Sequence, residues 1–529
     1  MPESKPRTRR IGGALAVGAG ILLSRIAGLV RERAFAHYLG NSAAAGVFKA
    51  ALRIPNFLQN LLGEGVLSAS FIPVYARLLA EGRHAEASRV ARAVGTLLAL
   101  VAAVIALAGV VAARPIVELL APGYGEASRE LTISLVRVLF PGVALLVLSA
   151  WCLGVLNSHR RFFLSYVSPV LWNAALIAAA IVAGRRFAGH DDDVATWLAW
   201  GAVIGSAAQL VVQLPTVIAL LGSLRPSLAV RDDGVRATLR AFGPVLVGRG
   251  SVQFSAYIDQ VIASYLGEAM VSAISYAQVL ALLPVSLFGM AVSAAELPEM
   301  ASASGDAAGA HVLARLQPAL RRVVFLVVPS AVAFVTIGGS IVALLFQTGR
   351  FDAHDTTVVW IILAGSAVGL SASTQGRLLG SAFYALGDPK PPLRAAVVRV
   401  AITGVVGWAF ALPIRDALGY STTWGAFGLT ASAGFAAWIE FLLLDRWLSR
   451  RIGKVPIPAK LGLGALAAAA FAGALGYGAS WIAGSFGAPA WAAALAAIPV
   501  YGVAYLGVMH LAKVPEAAAF IRLRGRRAA

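Results

Sequence analysis

Four polar residues recur on one face of a strongly apolar stretch early in the chain. They are Arg53, Asn56, Asn60 and Glu64, at positions i, i+3, i+7 and i+11. In an α-helix this spacing places all four side chains on one side, opposite apolar residues such as Phe57. A guanidinium in an apolar environment requires a carboxylate, carbonyl groups, water or a ligand. This face therefore predicts the wall of a hydrated cavity.

A proline beside this face bears on its backbone. Pro55 comes early in the stretch, and a proline there is expected to break the helix and turn backbone groups toward the cavity. The alternative interpretation is a polar seam between packed helices. The arginine argues against a simple seam, because its charge requires a partner or a ligand.

The preceding apolar stretch holds three further charges, Arg25, Arg31 and Glu32. On a straight helix Arg25, Gly28 and Glu32 share one face, and Arg31 lies about 120° away. Both arginines can face one cavity only if the helix bends, and Gly28 is the candidate position for a bend. The alternative is that Arg31 and Glu32 extend to a membrane interface.

A later stretch repeats the polar pattern, and its charges are again mostly positive. Arg249, Gln253, Gln260 and Ser264 share one face there, and Asp259 lies about 80° to one side. An excess of arginine predicts an anionic substrate, and the planar guanidinium fits phosphate or pyrophosphate. The candidate substrate-binding residues are Arg25, Arg31, Arg53, Asn56, Asn60, Arg249, Gln253 and Arg377. The candidate charge-balancing residues are Glu32, Glu64 and Asp259.

Composition identifies the class of protein that positions these residues. Of 529 residues, 59% are hydrophobic and 13% are charged, against about 25% charged in soluble domains. Such a chain has too much apolar surface for water, so it predicts an all-α polytopic membrane protein. The net charge of +19 is typical of basic cytoplasmic loops, which is preferred to a nucleic-acid surface. No metal-ligand spacing or Walker A motif occurs, so no metal or cofactor is predicted.

Apolar segments long enough to cross a bilayer number about fourteen. Alternate connections carry arginine and lysine, which predicts that both termini are cytoplasmic. The predicted spans lie near residues 11–38, 44–79, 93–120, 131–156, 161–184, 194–222, 240–266, 269–300, 319–346, 356–385, 392–413, 421–448, 459–484 and 488–512.

An internal similarity suggests how these spans are grouped. A Tyr-Leu-Gly helix end followed by a proline-flanked span occurs near the first two spans and again near spans seven and eight. Six spans separate the copies, so both have the same orientation, as in a parallel repeat. We expect a six-helix lobe over residues 1–222, a second over 223–450, and two extra helices with a basic tail over 451–529.

Several motifs resemble those of one transporter family. They are SRIAGLVRE at 24–32, RIPNFLQNLLGEGVLSASFIPV at 53–74, LFQTGRF at 345–351 and FYALGDPKPP at 383–392. In order and in topology, nearly the whole chain resembles the lipid II flippases of the MviN/MurJ group. That group belongs to the multidrug/oligosaccharidyl-lipid/polysaccharide exporter superfamily.

The resemblance implies a fold and a function. It implies two six-helix lobes around a central cavity and two C-terminal helices that form a groove for a lipid tail. It implies a monomer in the bacterial inner membrane that flips undecaprenyl-pyrophosphate-linked peptidoglycan precursor to the periplasmic leaflet by alternating access, without catalysis. Family arginines thought to contact pyrophosphate match Arg25, Arg31 and Arg53, and family acids match Glu32 and Glu64.

The chain also departs from the family pattern. Gly46 stands where an acidic residue is frequent, and Val279 stands where an arginine is common. Arg249, one span earlier, is our candidate for supplying the missing charge. A sodium site proposed for some members needs acids in spans seven and eleven. Asp259 fits the first position, but span eleven has Arg399 and no acid.

Three alternatives remain open on the residues. One is a flippase for another polyprenyl-pyrophosphate glycan, such as an O-antigen or capsule unit. Another is a cation-coupled drug antiporter, which the arginine excess disfavours. The third is a membrane glycosyltransferase. Its only candidate acidic cluster is Asp191 to Asp193, in a predicted periplasmic loop. An ordinary solvated loop explains these acidic residues better than a catalytic site does.

Overall fold

The computed structural model describes residues 8–302 and 308–525. Within those ranges the chain is helical, with no β-strand. The contacts divide it into two compact units that meet in sequence at Ser264 and Tyr265. The first unit contains α1 (Thr8–Leu39), α2 (Ala43–Leu62), α3 (Glu64–Ala80), α4 (His84–Val111), α5 (Ala113–Leu120), α6 (Glu126–Ser158), α7 (Phe162–Arg186), α8 (Asp191–Leu221) and α9 (Asp233–Ser264).

The second unit begins with α10 (Glu268–Pro284), which a π-helical segment (Val285–Met290) joins to α11 (Ala291–Met300). The lobe boundary predicted at residue 222 stays a prediction. The remaining helices are α12 (Ala308–Thr336), α13 (Gly338–Phe346), α14 (Ala353–Ala367), α15 (Leu370–Ala385), α16 (Lys390–Ala411), α17 (Pro413–Leu418), α18 (Thr422–Ile452), α19 (Ala459–Ser485), α20 (Ala490–Leu511) and α21 (Pro515–Gly525).

Many of these helices are long and apolar enough to cross a membrane. Ten stretches meet that requirement among the described residues, and the pair α14 and α15, bent by 42°, makes an eleventh. The ten are α4, α6, α7, α8, α10 through α11, α12, α16 with α17, α18, α19 and α20. The chain is therefore a multi-pass membrane protein, as its composition predicted.

The predicted second span is divided, which corrects the sequence analysis. The helix continues through Pro55 and breaks instead at Gly63, where ψ is −133°. A Cβ on Gly63 would lie 2.3 Å from the carbonyl oxygen of Gln59, so only glycine fits this approach. Glu64 begins a new helix. Glu64 therefore belongs to a different helix from Arg53, Asn56 and Asn60, and the four residues do not lie on one continuous helix.

Close packing of α1 on α7 positions the charged end of α1. The two helices pack along each other, and α2 packs against α6 and α8 in the same unit. Gly184 on α7 allows this approach, since a Cβ there would lie 2.1 Å from the ring of Tyr38 on α1. Small residues at such crossings are the usual means by which membrane helices approach closely.

In the second unit, α20 donates hydrogen bonds to backbone carbonyls of α12 near a proline. Pro329 has no N–H, so the carbonyl of Phe325, four residues earlier, lacks its normal helical donor. The buried hydroxyl of Tyr505 donates to that carbonyl at 2.7 Å, and Tyr501 donates to the carbonyl of Pro329 at 2.6 Å. These bonds hold α20 against α12.

Removing the Tyr505 hydroxyl should destabilise the protein more when Pro329 is present than when it is replaced. We expect Tyr505→Phe to lower the free energy of unfolding by about 0.5–1.5 kcal/mol, because the Phe325 carbonyl loses its donor. Pro329→Ala restores an N–H, so Tyr505→Phe should cost less in that background. Unfolding in detergent measures both, with the exposed Tyr477→Phe as control. Equal costs of Tyr505→Phe in the two backgrounds would contradict this account.

Candidate anion-binding site

A buried carboxylate in the first unit lies between two cations. Arg31 Nη2 is 2.7 Å from Glu32 Oε1, and Lys49 Nζ is 3.6 Å from Glu32 Oε2. The side chains of Lys49 and Glu32 are only 8% and 9% exposed. Two formal positive charges thus face one negative charge, which leaves this cluster cationic. An excess charge at such a depth requires an anion or water for compensation.

The Arg31 guanidinium is held in place by α7. It donates from Nη1 to Asn173 Oδ1 at 3.0 Å and lies 5.1 Å from the ring centroid of Trp172. The ring of Phe35 on α1 is 5.7 Å away. Arg31 Nε and Trp172 Nε1 are buried, and within the described part of the chain neither has a hydrogen-bond partner. Two adjoining side chains therefore keep N–H donors for an acceptor that the described part of the chain does not supply.

A second arginine of this unit joins α2 to α9. Arg53 Nη1 donates to Gln260 Oε1 at 2.7 Å, and Asp259 and Tyr257 interact with Arg53 electrostatically. Beside them is a cavity of about 10 Å³ lined by Arg53, Tyr257, Gln260 and Thr132, near the lower limit for one water molecule. One residue from each of the two predicted polar faces, Arg53 and Gln260, thus contact each other. The charge-balancing role of Asp259 stays a prediction.

The other predicted residues of the first unit are placed as follows. Arg25 is exposed and Asn60 is exposed, whereas Asn56 is half-buried. Arg25 precedes Glu32 by seven residues on the same face of α1, about 10 Å along the axis. α1 is one continuous helix through Gly28, and Arg31 reaches Glu32 directly as its sequence neighbour. The bend at Gly28 stays a prediction. The side chains of Glu64, Arg249 and Gln253 lie outside the described part of the structure.

Arg377 belongs to a charged group within the second unit. Arg399 Nη1 on α16 is 3.0 Å from Glu440 Oε2 on α18, and Arg377 on α15 interacts electrostatically with both. The Arg377 side chain is exposed. Two arginines accompany one carboxylate here, as one arginine and one lysine do in the first unit, so this group is also cationic.

Several members of these clusters were missed by the sequence analysis. Lys49 precedes Arg53 by one helical turn, a spacing that extends the polar face of α2 toward its start. Glu440 lies within the apolar part of α18, five residues before Asp445, and a carboxylate in such a position is expected to be paired or functional. Asn173 and Trp172 carried no comparable signal, because an amide and an indole are ordinary in such helices. Among the described residues no three His, Cys, Asp or Glu side chains are grouped to hold a metal.

The family is decided by comparison with known proteins. A family model described as lipid II flippase MurJ matches residues 35–501. This chain belongs to that family. A lipid II flippase MurJ of Burkholderia cenocepacia is 34% identical over 83% of this chain and 83% of its own length. A probable lipid II flippase MurJ of Bdellovibrio bacteriovorus is 31% identical over 83% of this chain and 82% of its own.

Solved structures agree on the fold. A lipid II flippase MurJ in an inward closed conformation matches with a TM-score of 0.76 and 20% identity, covering 94% of this chain and 98% of that one. An inward-facing multidrug resistance MATE family transporter of the MOP superfamily matches with a TM-score of 0.62 and 16% identity. It covers 80% of this chain and 98% of that one. The MurJ-like helical fold that the motifs implied is thereby confirmed.

Glu32 should stabilise the fold through both of its cations. Glu32→Gln leaves Arg31 and Lys49 buried without a carboxylate, so we expect a loss of about 3 kcal/mol or more in the free energy of unfolding. Lys49→Met in the same chain removes part of the repulsion, so the two changes should be coupled by about 0.5–3 kcal/mol. A double-mutant cycle of unfolding in detergent measures this.

The control for this cycle is Glu81→Gln. Glu81 is an exposed carboxylate that also pairs with two arginines, Arg77 and Arg83. Its removal should change little, because exposed ion pairs contribute little to stability. Strictly additive effects of Glu32→Gln and Lys49→Met would exclude the proposed interaction.

Proposed function

We propose that this protein flips lipid II, the undecaprenyl-pyrophosphate-linked peptidoglycan precursor, from the cytoplasmic to the periplasmic leaflet of the bacterial inner membrane. The proposal takes its substrate from the family and its binding chemistry from the cationic cluster of the first unit. It describes a transporter that works by alternating access. No catalytic role is assigned to any residue, and no nucleic acid is expected as a partner.

The observation that carries the proposal is the pair of unpaired donors, Arg31 Nε and Trp172 Nε1. A buried N–H without an acceptor costs free energy, and a pyrophosphate oxygen would remove that cost. Guanidinium groups bind phosphate oxygens in pairs of parallel hydrogen bonds, and such charge-assisted bonds are strong at low dielectric. An acidic or neutral lipid-linked cargo without phosphate would satisfy this site less completely.

Glu32 gives the site two states. Without substrate, its carboxylate compensates Arg31 and Lys49. When pyrophosphate binds, its negative charge takes the place of the Glu32 carboxylate as partner of the two cations. The free energy of the cluster then depends on where each conformation holds Arg31 and Lys49. A ligand shifts a conformational equilibrium only through such a difference in affinity. We assign Glu32, Glu64 and Asp259 to this charge balance.

The remaining site residues are proposed by the same chemistry. Arg25, on the face of Glu32, and Arg53, with Asn56 and Asn60 on its helix, are proposed to contact the head group during transport. Arg377 is proposed as a contact in the second unit, where Arg399 and Glu440 accompany it. Arg249 and Gln253 are proposed from their place in the sequence alone.

We further propose fourteen spans. The eleven stretches already identified leave α1, α2 with α3, and α9, which supply three more. Six belong to a lobe over residues 1–222, six to a lobe over 223–450, and two to residues 451–529. Both termini are then cytoplasmic, in agreement with the basic residues of alternate loops. We propose that the protein acts as a monomer.

Complementation of a bacterial strain depleted of its lipid II flippase tests the function. We expect the wild-type chain to restore growth. We expect Arg31→Ala and Arg53→Ala to fail at normal membrane levels, and lysine at either position to restore growth only in part because it lacks the planar fork. Arg77→Ala, which removes an exposed arginine, is the matched control and should grow like wild type.

Two outcomes of this experiment would argue against different parts of the proposal. Full growth with both alanine variants would exclude the pyrophosphate role of these arginines. Failure of the wild-type chain, despite normal expression, would instead favour a different polyprenyl-pyrophosphate glycan as cargo.

A further inference from the structure

A second cavity of the first unit lies away from the cationic cluster. It has a volume of about 280 Å³ and lies among α4, α6, α8 and the segment that connects α8 to α9. Leu148 and Trp151 of α6 and Leu210 and Leu214 of α8 form its apolar walls, and Arg92 and Arg225 also line it. The cavity is therefore amphipathic, with an apolar interior and two guanidinium groups.

The connecting segment, residues 222–232, is fixed over this cavity by specific bonds. Gly222, with φ +76°, ends α8 in the left-handed conformation that glycine favours and turns the chain back. Arg92 Nη1 on α4 then donates to Ser223 Oγ at 2.8 Å, and the backbone N–H of Ser227 donates to Thr96 Oγ1 at 3.1 Å. These bonds fix the segment that covers the cavity, and the cavity opening therefore has a defined shape.

The same segment presents apolar side chains outward. Leu224 is 37% exposed, Val230 is 45% exposed and Leu228 is 63% exposed. Arg225 and Arg231 stand among them and are exposed as well. Exposed leucine and valine interleaved with arginine are typical of segments that lie in the interface between headgroups and acyl chains. We therefore expect the cavity beneath the segment to open at the membrane interface, where phospholipid headgroups lie.

The charges that line the cavity select the ligand. Arg92 and Arg225 contribute two formal positive charges, and no carboxylate lines the cavity among the described residues. Arg225 makes no hydrogen bond or ion pair with the described part of the chain, so its donors are available. Basic pockets between membrane helices at the interface bind anionic lipid headgroups. A neutral lipid would leave these charges uncompensated.

We propose that this cavity binds an anionic phospholipid of the surrounding leaflet. Arg92 and Arg225 bind its phosphate, and Leu148, Trp151, Leu210 and Leu214 contact the upper part of one acyl chain. The site is separate from the one proposed for the transported substrate. Bound lipid contacts three spans and the segment that leads to α9, so it stabilises the first unit.

Lipid binding to the full-length protein in detergent tests this proposal. The measurements are the unfolding temperature and the lipid retained in native mass spectra, with phosphatidylglycerol, phosphatidylcholine or inorganic phosphate as probes. We expect phosphatidylglycerol to be retained and to raise the unfolding temperature, because it binds the folded state. Phosphatidylcholine and inorganic phosphate should each have a much smaller effect. Equal effects of the two lipids, or the full effect with inorganic phosphate, would overturn the proposal.

Three variants localise the effect. Arg225→Gln removes a guanidinium that has no hydrogen-bond or ion-pair partner among the described residues, and we expect phosphatidylglycerol to bind about tenfold more weakly. Ala99→Leu fills the cavity and keeps both arginines, so it should weaken binding similarly without lowering the unfolding temperature in the absence of lipid. The matched control, Arg89→Gln with Arg231→Gln, removes exposed arginines that do not line the cavity. Wild-type binding by the first two variants, or equal weakening by the control, would exclude this site.

Discussion

The cost of a charge among apolar helices is the constraint on which this structure depends. Glu32 meets it by lying between Arg31 and Lys49, which brings α1 and α2 together. Asn173 and Trp172 then fix Arg31 from α7. Because the cluster has more cations than carboxylates, we propose that the same contacts that hold three helices together also form a site that binds an anion. On this proposal, stability and recognition share one set of residues.

The charges of the other arginines are compensated by neighbouring groups to different degrees. Arg399 is compensated by Glu440 and Arg53 by Gln260 and Asp259, whereas Arg225 faces an apolar cavity with no carboxylate. Backbone groups are treated alike, since Tyr505 supplies the donor that Pro329 removes from α12. Helices are thus held where polar groups are satisfied, and ligands are expected where they are not.

The sequence predicts what depends on local pattern and misses what depends on tertiary contact. Apolar runs predicted the membrane helices, and the 3.6-residue period put Arg53 and Gln260 on polar faces that do meet. The partner of Arg31 could not be predicted, because Asn173 lies 142 residues away and an amide gives no signal. Likewise Pro55 suggested a break that instead occurs at Gly63, a position that favours glycine because a Cβ there would meet the carbonyl of Gln59.

The central claim is that the cluster around Arg31 recognises the pyrophosphate of lipid II. Equilibrium binding to the purified protein tests it most directly, with lipid II and with undecaprenol, which has the same tail and no phosphate. The account predicts that lipid II binds at least about tenfold more tightly and that Arg31→Ala removes most of this difference. Equal affinity for the two lipids, or a preference that Arg31→Ala leaves unchanged, would contradict the account.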